Sequence, residues 1–258
     1  MNARNEEMNA ILSYIEDHLY EPVTLAQLAN HISYSRYHFA RMFKKETGLS
    51  PLYYVASLRL QKAKDLLLQT NLSVRDIGME IGQQSLGTFT TRFTERVGVT
   101  PVQFRHSMKQ VDEQLESLKQ LENWEDTSQW SNPSLKVEGV IDSTHEFKGF
   151  VLVGLFAKPI PEGLPLYGTL LSRLGPFSFT NVRPGIYYLL ATSIQWGMAA
   201  QDILLPHSTL RARVKQPIVI SNDHMVQPQR MTLHPPLIDE PPIIISLPVL
   251  MNRFLQRK

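Results

Sequence analysis

A thirteen-residue pattern occurs twice in this chain and restricts what its first part can fold into. Residues 39–51 read FARMFKKETGLSP, and residues 89–101 read FTTRFTERVGVTP. Two phenylalanines, a glycine and a proline recur at the same spacing, whereas the residues between them change. Fixed apolar positions with variable polar positions predict one scaffold built twice, with two different exposed surfaces.

The sequence around the two repeats predicts a helical domain. Only three of the 17 prolines lie in the first 110 residues, and the apolar residues there recur at three- and four-residue spacing, which is typical of helices. Hydroxyl residues that can cap helices precede the predicted helices, at Thr24, Ser35, Ser50, Ser73 and Thr100. Residues 51–68 read as one long helix, so residues 6–106 are predicted to hold two helix-turn-helix units that this helix joins.

The first copy predicts a helix with an apolar back and a basic, aromatic front. On a helical wheel, the back is formed by Phe39, Met42 and Phe43. The front is formed by Tyr37, Arg41 and Lys44, with Ala40 and Lys45 at its edges. The Arg41 guanidinium can donate two hydrogen bonds to a guanine in the major groove. Arg36, Lys44 and Lys45 can neutralise DNA phosphates.

The second copy predicts a front of a different chemical character. Phe89 and Phe93 form its back, while Gly87, Thr91 and Thr94 form a front that carries almost no charge. Small and hydroxylated groups can contact thymine methyls or make single hydrogen bonds. Arg92 and Arg96 flank this helix, and we expect them to contact phosphates.

A basic helix face is often only solvated, so the context of these helices decides the interpretation. A short helix over residues 25–32 precedes the first copy at helix-turn-helix distance, and the whole unit occurs twice. This arrangement favours two DNA-reading helices over two solvated surfaces.

Residues 6–106 resemble the DNA-binding domain of AraC/XylS-family transcriptional regulators. The matching segments are LAQLANHISYSRYHFARMFKKETGLSP, LRLQKAKDLL and IGQQSLGTFTTRFTERVGVTPVQFR. The resemblance implies two recognition helices that enter successive major grooves of double-stranded DNA. It assigns base contacts to Tyr37, Ala40, Arg41, Leu86, Gly87, Thr88 and Thr91. Two departures are Gln83, where the family usually has an aromatic residue, and the position of the DNA-binding domain at the start of the chain.

After residue 135 the apolar period changes from that of a helix to that of a strand. Apolar residues alternate through residues 186–196, and glycine or proline interrupts the pattern about every ten residues, which predicts an antiparallel β-sandwich. The Phe-x-Phe-x-x-Val-x-Pro-Gly-x-Tyr string of residues 177–187 resembles transthyretin-like and carboxypeptidase-regulatory-like sandwiches. The predicted fold is therefore α plus β and multidomain, with a DNA-binding domain at 1–108, a helical linker at 109–132 and a sandwich at 133–258.

The role of the second half is open between several alternatives. The linker carries Met108, Val111, Leu115 and Leu118 at heptad spacing, which fits a helix packed on its own domain or a short dimerising coil. The sandwich is expected to sense a small-molecule effector or to form a homodimer, and a binding or hydrolytic module tethered to DNA is the alternative. A ligand pocket is predicted to involve Tyr167, Tyr187, Tyr188 and Trp196, although these aromatics also suit a sandwich core.

Composition excludes several other classes of function. The chain has no cysteine, so disulfides, cysteine nucleophiles and cysteine-based zinc sites are excluded. Metal-ligand spacing is missing among His145, His207, His224 and His234, and no catalytic constellation can be assembled, so we expect no metal, no cofactor and no enzymatic activity. The sequence shows no signal peptide or membrane-length apolar run, so a cytoplasmic protein without membrane partners is expected. RNA polymerase is an expected partner if the regulator is an activator.

Overall fold

The chain forms two compact units in the computed structural model, which describes residues 3–83, 85–124, 135–223 and 225–258. The first unit contains residues 1–105 and Leu237–Ile244. The second unit contains residues 106–236 and 245–258. Within the described residues, no helix is long and apolar enough to cross a membrane.

The first unit is helical, as the sequence predicts. Its helices are α1 (Ala3–Asp17), α2 (Leu25–His31), α3 (Arg36–Thr47), α4 (Pro51–Gln69), α5 (Val74–Glu80), α6 (Leu86–Val97) and α7 (Pro101–Arg105). Helices α2 and α3 pack together as one helix-turn-helix unit, and α5 and α6 pack together as the second.

The predicted caps explain where most of these helices begin. The side chains of Thr24, Ser35 and Ser73 each accept a hydrogen bond from a backbone N–H in the first turn of the helix that follows. Thr100 exchanges hydrogen bonds with Gln103 in a capping box. Ser50 precedes α4 but makes no side-chain capping bond. The prediction that the Ser50 hydroxyl caps α4 is wrong. The start of α4 is favoured instead by Pro51 at the first helical position, whose fixed φ angle suits a helix.

The repeat extends into the aromatic core behind each front. The rings of Phe39 and Phe43 lie 5.6 Å apart, and Phe43 meets Tyr54 edge-on at 5.3 Å. In the second copy Phe89 and Phe93 lie 5.7 Å apart, and Phe93 meets Phe104 edge-on at 5.8 Å. Each set is buried. The two copies therefore share an arrangement of three contacting rings, tilted or edge-on to one another, which is here called the aromatic stack. It fixes the back of α3 and of α6.

The glycines of the repeat end the two helices. Gly48 and Gly98 follow α3 and α6 with φ angles of 85° and 91°. This left-handed conformation is readily available only to residues without a Cβ atom, and it directs the chain into the next helix.

The described residues of the second unit form two β-sheets and three helices. Its helices are α8 (Met108–Lys119), α9 (Ala200–Leu204) and α10 (Leu247–Leu255). Its strands are β1 (Val137–Ser143), β2 (Gly149–Phe156), β3 (Tyr167–Leu171), β4 (Gly175–Phe179), β5 (Gly185–Gln195), β6 (Arg211–Arg213), β7 (Ile218–Ile220) and β8 (Gln229–Leu233).

The strands form a three-stranded and a five-stranded sheet. The first has the order β4-β1-β8, and the second has the order β3-β2-β5-β6 with β7 also paired to β5. One hydrophobic core contains residues of both sheets, among them Val137 of β1, Val153 of β2 and Leu189 of β5. The β1–β8 ladder is parallel. The prediction of a purely antiparallel sandwich is therefore wrong at this pair.

A helical layer distinguishes the second unit from a two-layer sandwich. All eight residues of β2 are buried, so both faces of this strand are covered. Phe150 lies on the face of β2 that turns away from the shared core, where its ring contacts those of Trp124 and Trp196. Trp124 in turn contacts Phe254 of α10, and α8, α9 and α10 pack against one another.

The apolar stripe of α8 is used inside the second unit. Val111 and Leu118 are fully buried and Leu115 nearly so, whereas Met108 is exposed. This packing fits the alternative of a helix that belongs to a domain, and it leaves little of the stripe for a dimerising coil. Helix α8 thus belongs to the same compact unit as the sheets and does not form a separate linker. The predicted end of the linker at residue 132 and the start of the sandwich at residue 133 lie outside the described residues.

Candidate nucleic-acid interface

The front of α3 is exposed in the way that base reading requires. Tyr37 is 78% exposed, and Arg41 is exposed four residues further along the helix. Ala40 lies at the edge of this face and is half-buried. The aromatic stack holds the opposite side of the helix, so these three side chains project from a fixed support.

Three cations surround this front. Arg36 is the first residue of α3, and Lys44 and Lys45 lie in its last turn. All three side chains are exposed. Arg36 lies before Tyr37 and the two lysines lie after Arg41 along the helix, so cations are available at both ends of this face for contacts that position a protein on DNA.

The front of α6 is exposed but carries no charge. Leu86 is 47% exposed, and Gly87, Thr88 and Thr91 are also exposed. Thr94, which the helical wheel adds to this front, is half-buried and donates its hydroxyl to the carbonyl oxygen of Thr90 at 2.7 Å. One exposed surface of α6 therefore contains the residues that the resemblance assigns to base contacts, Leu86, Gly87, Thr88 and Thr91.

The two arginines that flank α6 have different surroundings. Arg92 is exposed, and its Nη1 donates to Oε1 of Gln83 at 3.2 Å. Gln83, one of the two departures from the resembled family, thereby orients Arg92. Arg96 is half-buried: its Nη2 donates to Oγ of Ser57 at 2.6 Å, and its guanidinium lies 4.7 Å from the centre of the Tyr53 ring. These contacts with α4 fit a structural role for Arg96, and its phosphate contact stays a prediction.

Helix α4 joins the two fronts. Its 19 residues form an uninterrupted helix, which is about 28 Å long at a rise of ~1.5 Å per residue. Tyr54 of α4 closes the aromatic stack behind α3, and Lys64 of α4 lies 5.5 Å from the ring of Phe104, which closes the stack behind α6. A single rigid element thus supports both fronts.

Lys64 is the residue of this unit that sequence reasoning missed. Its side chain is among the most buried of the described residues, with 1% exposure, whereas Leu58 and Leu66 of the same helix are only half-buried. The spacing of Leu60 and Leu67 already places position 64 on the buried face of the helix. A lysine at such a position is the signal that a polar partner lies nearby.

The four aromatics of the predicted pocket do not form one site. The ring centres of Tyr167 and Tyr187 lie 6.0 Å apart, and both hydroxyls bind the turn at Arg183. The Arg183 N–H donates to the Tyr167 hydroxyl, and the Tyr187 hydroxyl donates to the Arg183 carbonyl at 2.7 Å. Burial raises the pKa of the Tyr187 hydroxyl above its usual value, with a further contribution from Tyr167 that Arg183 opposes.

The other two aromatics lie on the opposite face of β5. Successive strand residues point to opposite faces, so Tyr188 points away from Tyr187. Trp196 follows the strand eight residues later, about 26 Å away at ~3.3 Å per residue, and packs on Phe150. Three of the four side chains are therefore explained by packing or by the turn. The described residues also contain no group of three or more side chains that could hold a metal ion.

Comparison with known proteins gives a consistent assignment of the first unit. Residues 28–107 match the family model described as a helix-turn-helix domain. The chain is 36% identical over 99 residues to the uncharacterized HTH-type transcriptional regulator YobQ of Bacillus subtilis (strain 168), a match that covers 38% of this chain and 41% of YobQ. It is 32% identical over 108 residues to the multiple antibiotic resistance protein MarA of Salmonella typhimurium, a match that covers 41% of this chain and 85% of MarA.

A solved structure is also similar to part of the chain. It is a transcriptional regulator with an AraC-type DNA-binding domain from Chromobacterium violaceum, 30% identical, with a TM-score of 0.39; the match covers 41% of this chain and 96% of that one. The chain spans less than half of the length of YobQ. Its match to MarA, at 32% identity, nevertheless covers 85% of that protein. The chain therefore belongs to the AraC/XylS family of helix-turn-helix transcriptional regulators.

Proposed function

We propose that this protein is a sequence-specific transcription regulator whose helices α3 and α6 read two successive major grooves on one face of a DNA duplex. The observation that carries the proposal is the pair of exposed fronts on α3 and α6, each backed by the same buried three-ring stack. The length of α4, about 28 Å at ~1.5 Å per residue, supports a separation close to one helical turn of DNA, which is about 34 Å.

The proposed contacts divide between the two fronts. Arg41 would donate to guanine O6 and N7, and Tyr37 and Ala40 would contact neighbouring base edges. Leu86, Gly87, Thr88 and Thr91 would make apolar contacts and single hydrogen bonds to bases. Arg36, Lys44, Lys45 and Arg92 would contact phosphates. Because the cations concentrate on α3, this helix would supply most of the electrostatic affinity, and α6 would mainly add specificity.

The proposal is tested by selecting bound sequences from a random DNA library with the full chain. The expected result is a site with two conserved parts whose centres lie about one helical turn apart, since each helix reads one part. Selection of a single short part would contradict the paired arrangement. The absence of any enriched sequence would contradict sequence-specific binding itself.

Replacing Lys44 by alanine should weaken binding to every DNA sequence to a similar extent. Lys44 is an exposed cation at the end of the front, where it can neutralise one phosphate. Its loss should reduce the magnitude of the slope of log affinity against log salt by about one. Titrations at several salt concentrations measure this slope, and Lys44→Arg is the matched control that should retain it. An unchanged slope for Lys44→Ala would remove Lys44 from the phosphate contacts.

For the second unit we propose a regulatory function, either by sensing a small molecule or by forming a homodimer. YobQ is a transcriptional regulator by name, which supports a regulatory function for this chain. Sedimentation of the full chain measures dimerisation, and thermal-shift screening with metabolites measures ligand binding. Steady turnover of ester or ureide substrates by the full chain would instead support the alternative of a hydrolytic module tethered to DNA.

A further inference from the structure

A segment from the C-terminal part of the chain completes the helical unit. Leu237–Ile244, here called the strap, belongs to the first unit although its sequence lies between β8 and α10 of the second. It forms no helix or strand, yet residues 240–244 are all buried. The backbone N–H of Ile245, the residue after the strap, donates to the carbonyl oxygen of Pro161 at 2.9 Å within the second unit. The strap is thus joined at both ends to the second unit.

The strap contacts α4 through two polar side chains. Nζ of the buried Lys64 donates to the carbonyl oxygen of Ile243 at 3.1 Å. The hydroxyl of Tyr54 lies 3.4 Å from the carbonyl oxygen of Glu240 and 3.5 Å from that of Ile238, and donates to both. A buried ammonium requires hydrogen-bond acceptors, so the strap carbonyl makes the burial of Lys64 less costly.

Tyr54 and Lys64, which bind the strap, also contact the aromatic stacks behind the two fronts. Tyr54 meets Phe43 of the first stack at 5.3 Å between ring centres. Lys64 lies 5.5 Å from the centre of the Phe104 ring, and Phe104 meets Phe93 of the second stack at 5.8 Å. One extended segment therefore touches the support of α3 and the support of α6.

We propose that the strap is a positioning element that holds α3 and α6 in register through Lys64 and Tyr54, and that it transmits changes in the second unit to DNA binding. This inference rests on the proposed DNA-binding function. A displacement of β8 or α10 reaches the strap directly through the chain. Displacing the strap removes one acceptor, the Ile243 carbonyl, from a buried ammonium on the helix that joins the two fronts. Lys64 acts here as a positioning residue and does not contact DNA.

The test compares two pairs of variants of the full chain. Lys64→Met removes the ammonium and keeps the length of the side chain, and Lys62→Met is its control on the same helix, at a half-buried position. The double variant Pro241→Gly/Pro242→Gly loosens the buried part of the strap without changing the helical sequence. Its control is Pro235→Gly/Pro236→Gly, at the two exposed prolines directly before the strap.

The measurements are binding to the selected DNA site, binding to the same site with one base pair added between its two parts, and hydrogen exchange of the strap peptide. We expect Lys64→Met and Pro241→Gly/Pro242→Gly to lose about tenfold in affinity for the selected site. We also expect them to lose discrimination between the two spacings and to exchange strap amides faster, whereas both controls behave like the parent chain. A general loss of folding would lower binding to both spacings without reducing discrimination between them.

The outcomes separate this inference from the function on which it rests. If the parent chain binds the selected site, but the variants and their controls have the same affinity and the same spacing preference, the positioning role of the strap is wrong. If the parent chain binds no DNA sequence specifically, the proposed function fails before any variant is compared, and the inference falls with it.

Discussion

Replacing Phe39 by alanine should destabilise the helical unit by about 3–5 kcal/mol, the usual cost of removing a buried phenylalanine ring. Phe39 is fully buried and its ring packs on Phe43 at 5.6 Å. Because domains are typically stable by only about 5–15 kcal/mol, this loss should leave a marginally folded unit that no longer binds DNA. Chemical denaturation monitored by far-ultraviolet circular dichroism measures the change.

The matched control for this variant lies two residues away on the same helix. Tyr37 is also aromatic but is 78% exposed, so Tyr37→Ala should change the free energy of unfolding by no more than about 0.5 kcal/mol. It should nevertheless weaken DNA binding, because Tyr37 lies on the proposed base-reading front. A large loss of stability in Tyr37→Ala, with little loss in Phe39→Ala, would mean that the helix is turned the other way.

Replacing Arg41 by alanine should cost about 1–3 kcal/mol in binding to the selected DNA site and should relax its specificity at one base position. Arg41 is exposed between Tyr37 and Lys44 on the front of α3. Its planar guanidinium can make two parallel hydrogen bonds to one guanine, and alanine can make none. Titrations with the parent site and with every single-base variant of it measure the change.

A charge-conserving variant separates base reading from simple attraction to DNA. Arg41→Lys keeps the positive charge but loses the fork geometry, so it should bind random DNA like the parent chain while discriminating poorly at the same base position. Equal losses of affinity for specific and random DNA in Arg41→Ala would show that this residue only neutralises phosphate.

The sequence was sufficient to predict the elements whose signals are local. The spacing of Phe39 and Phe43, with Gly48 behind them, predicts an amphipathic helix with a left-handed end, and α3 has both features. The same spacing around Phe89 predicts α6. Periodicity also orients the fronts correctly, because a helix that buries two phenylalanines four residues apart has to expose the residues on its opposite side.

Features that depend on distant parts of the chain were not predictable in this way. The alternation of β8 indicates which residues face the core, but it carries no information on the neighbouring strand, so the parallel pairing of β1 and β8 was missed. The strap has no periodic pattern at all, and only the folded chain shows that Ile243 accepts a hydrogen bond from Lys64, 179 residues earlier in sequence.

The aromatics of the second unit illustrate a third limit. Tyr187 and Tyr188 are adjacent in sequence and appear equally suited to a pocket. Strand geometry places them on opposite faces of β5, and the hydroxyl of Tyr187 is used in a hydrogen bond to the turn at Arg183. Residue type alone does not distinguish a ligand contact from a packing contact, because both use the same apolar surface of the ring.

We propose that α3 and α6 read one duplex together at a separation that α4 fixes. The most direct test measures the affinity of the full chain for the selected two-part site and for the same site with about half a helical turn (~5 base pairs) or about one full turn (~10 base pairs) inserted between its parts. We expect both insertions to weaken binding by at least about tenfold, since α4 can neither rotate nor lengthen to follow the second part. Equal affinity for all three duplexes, or full recovery with the one-turn insertion, would contradict it.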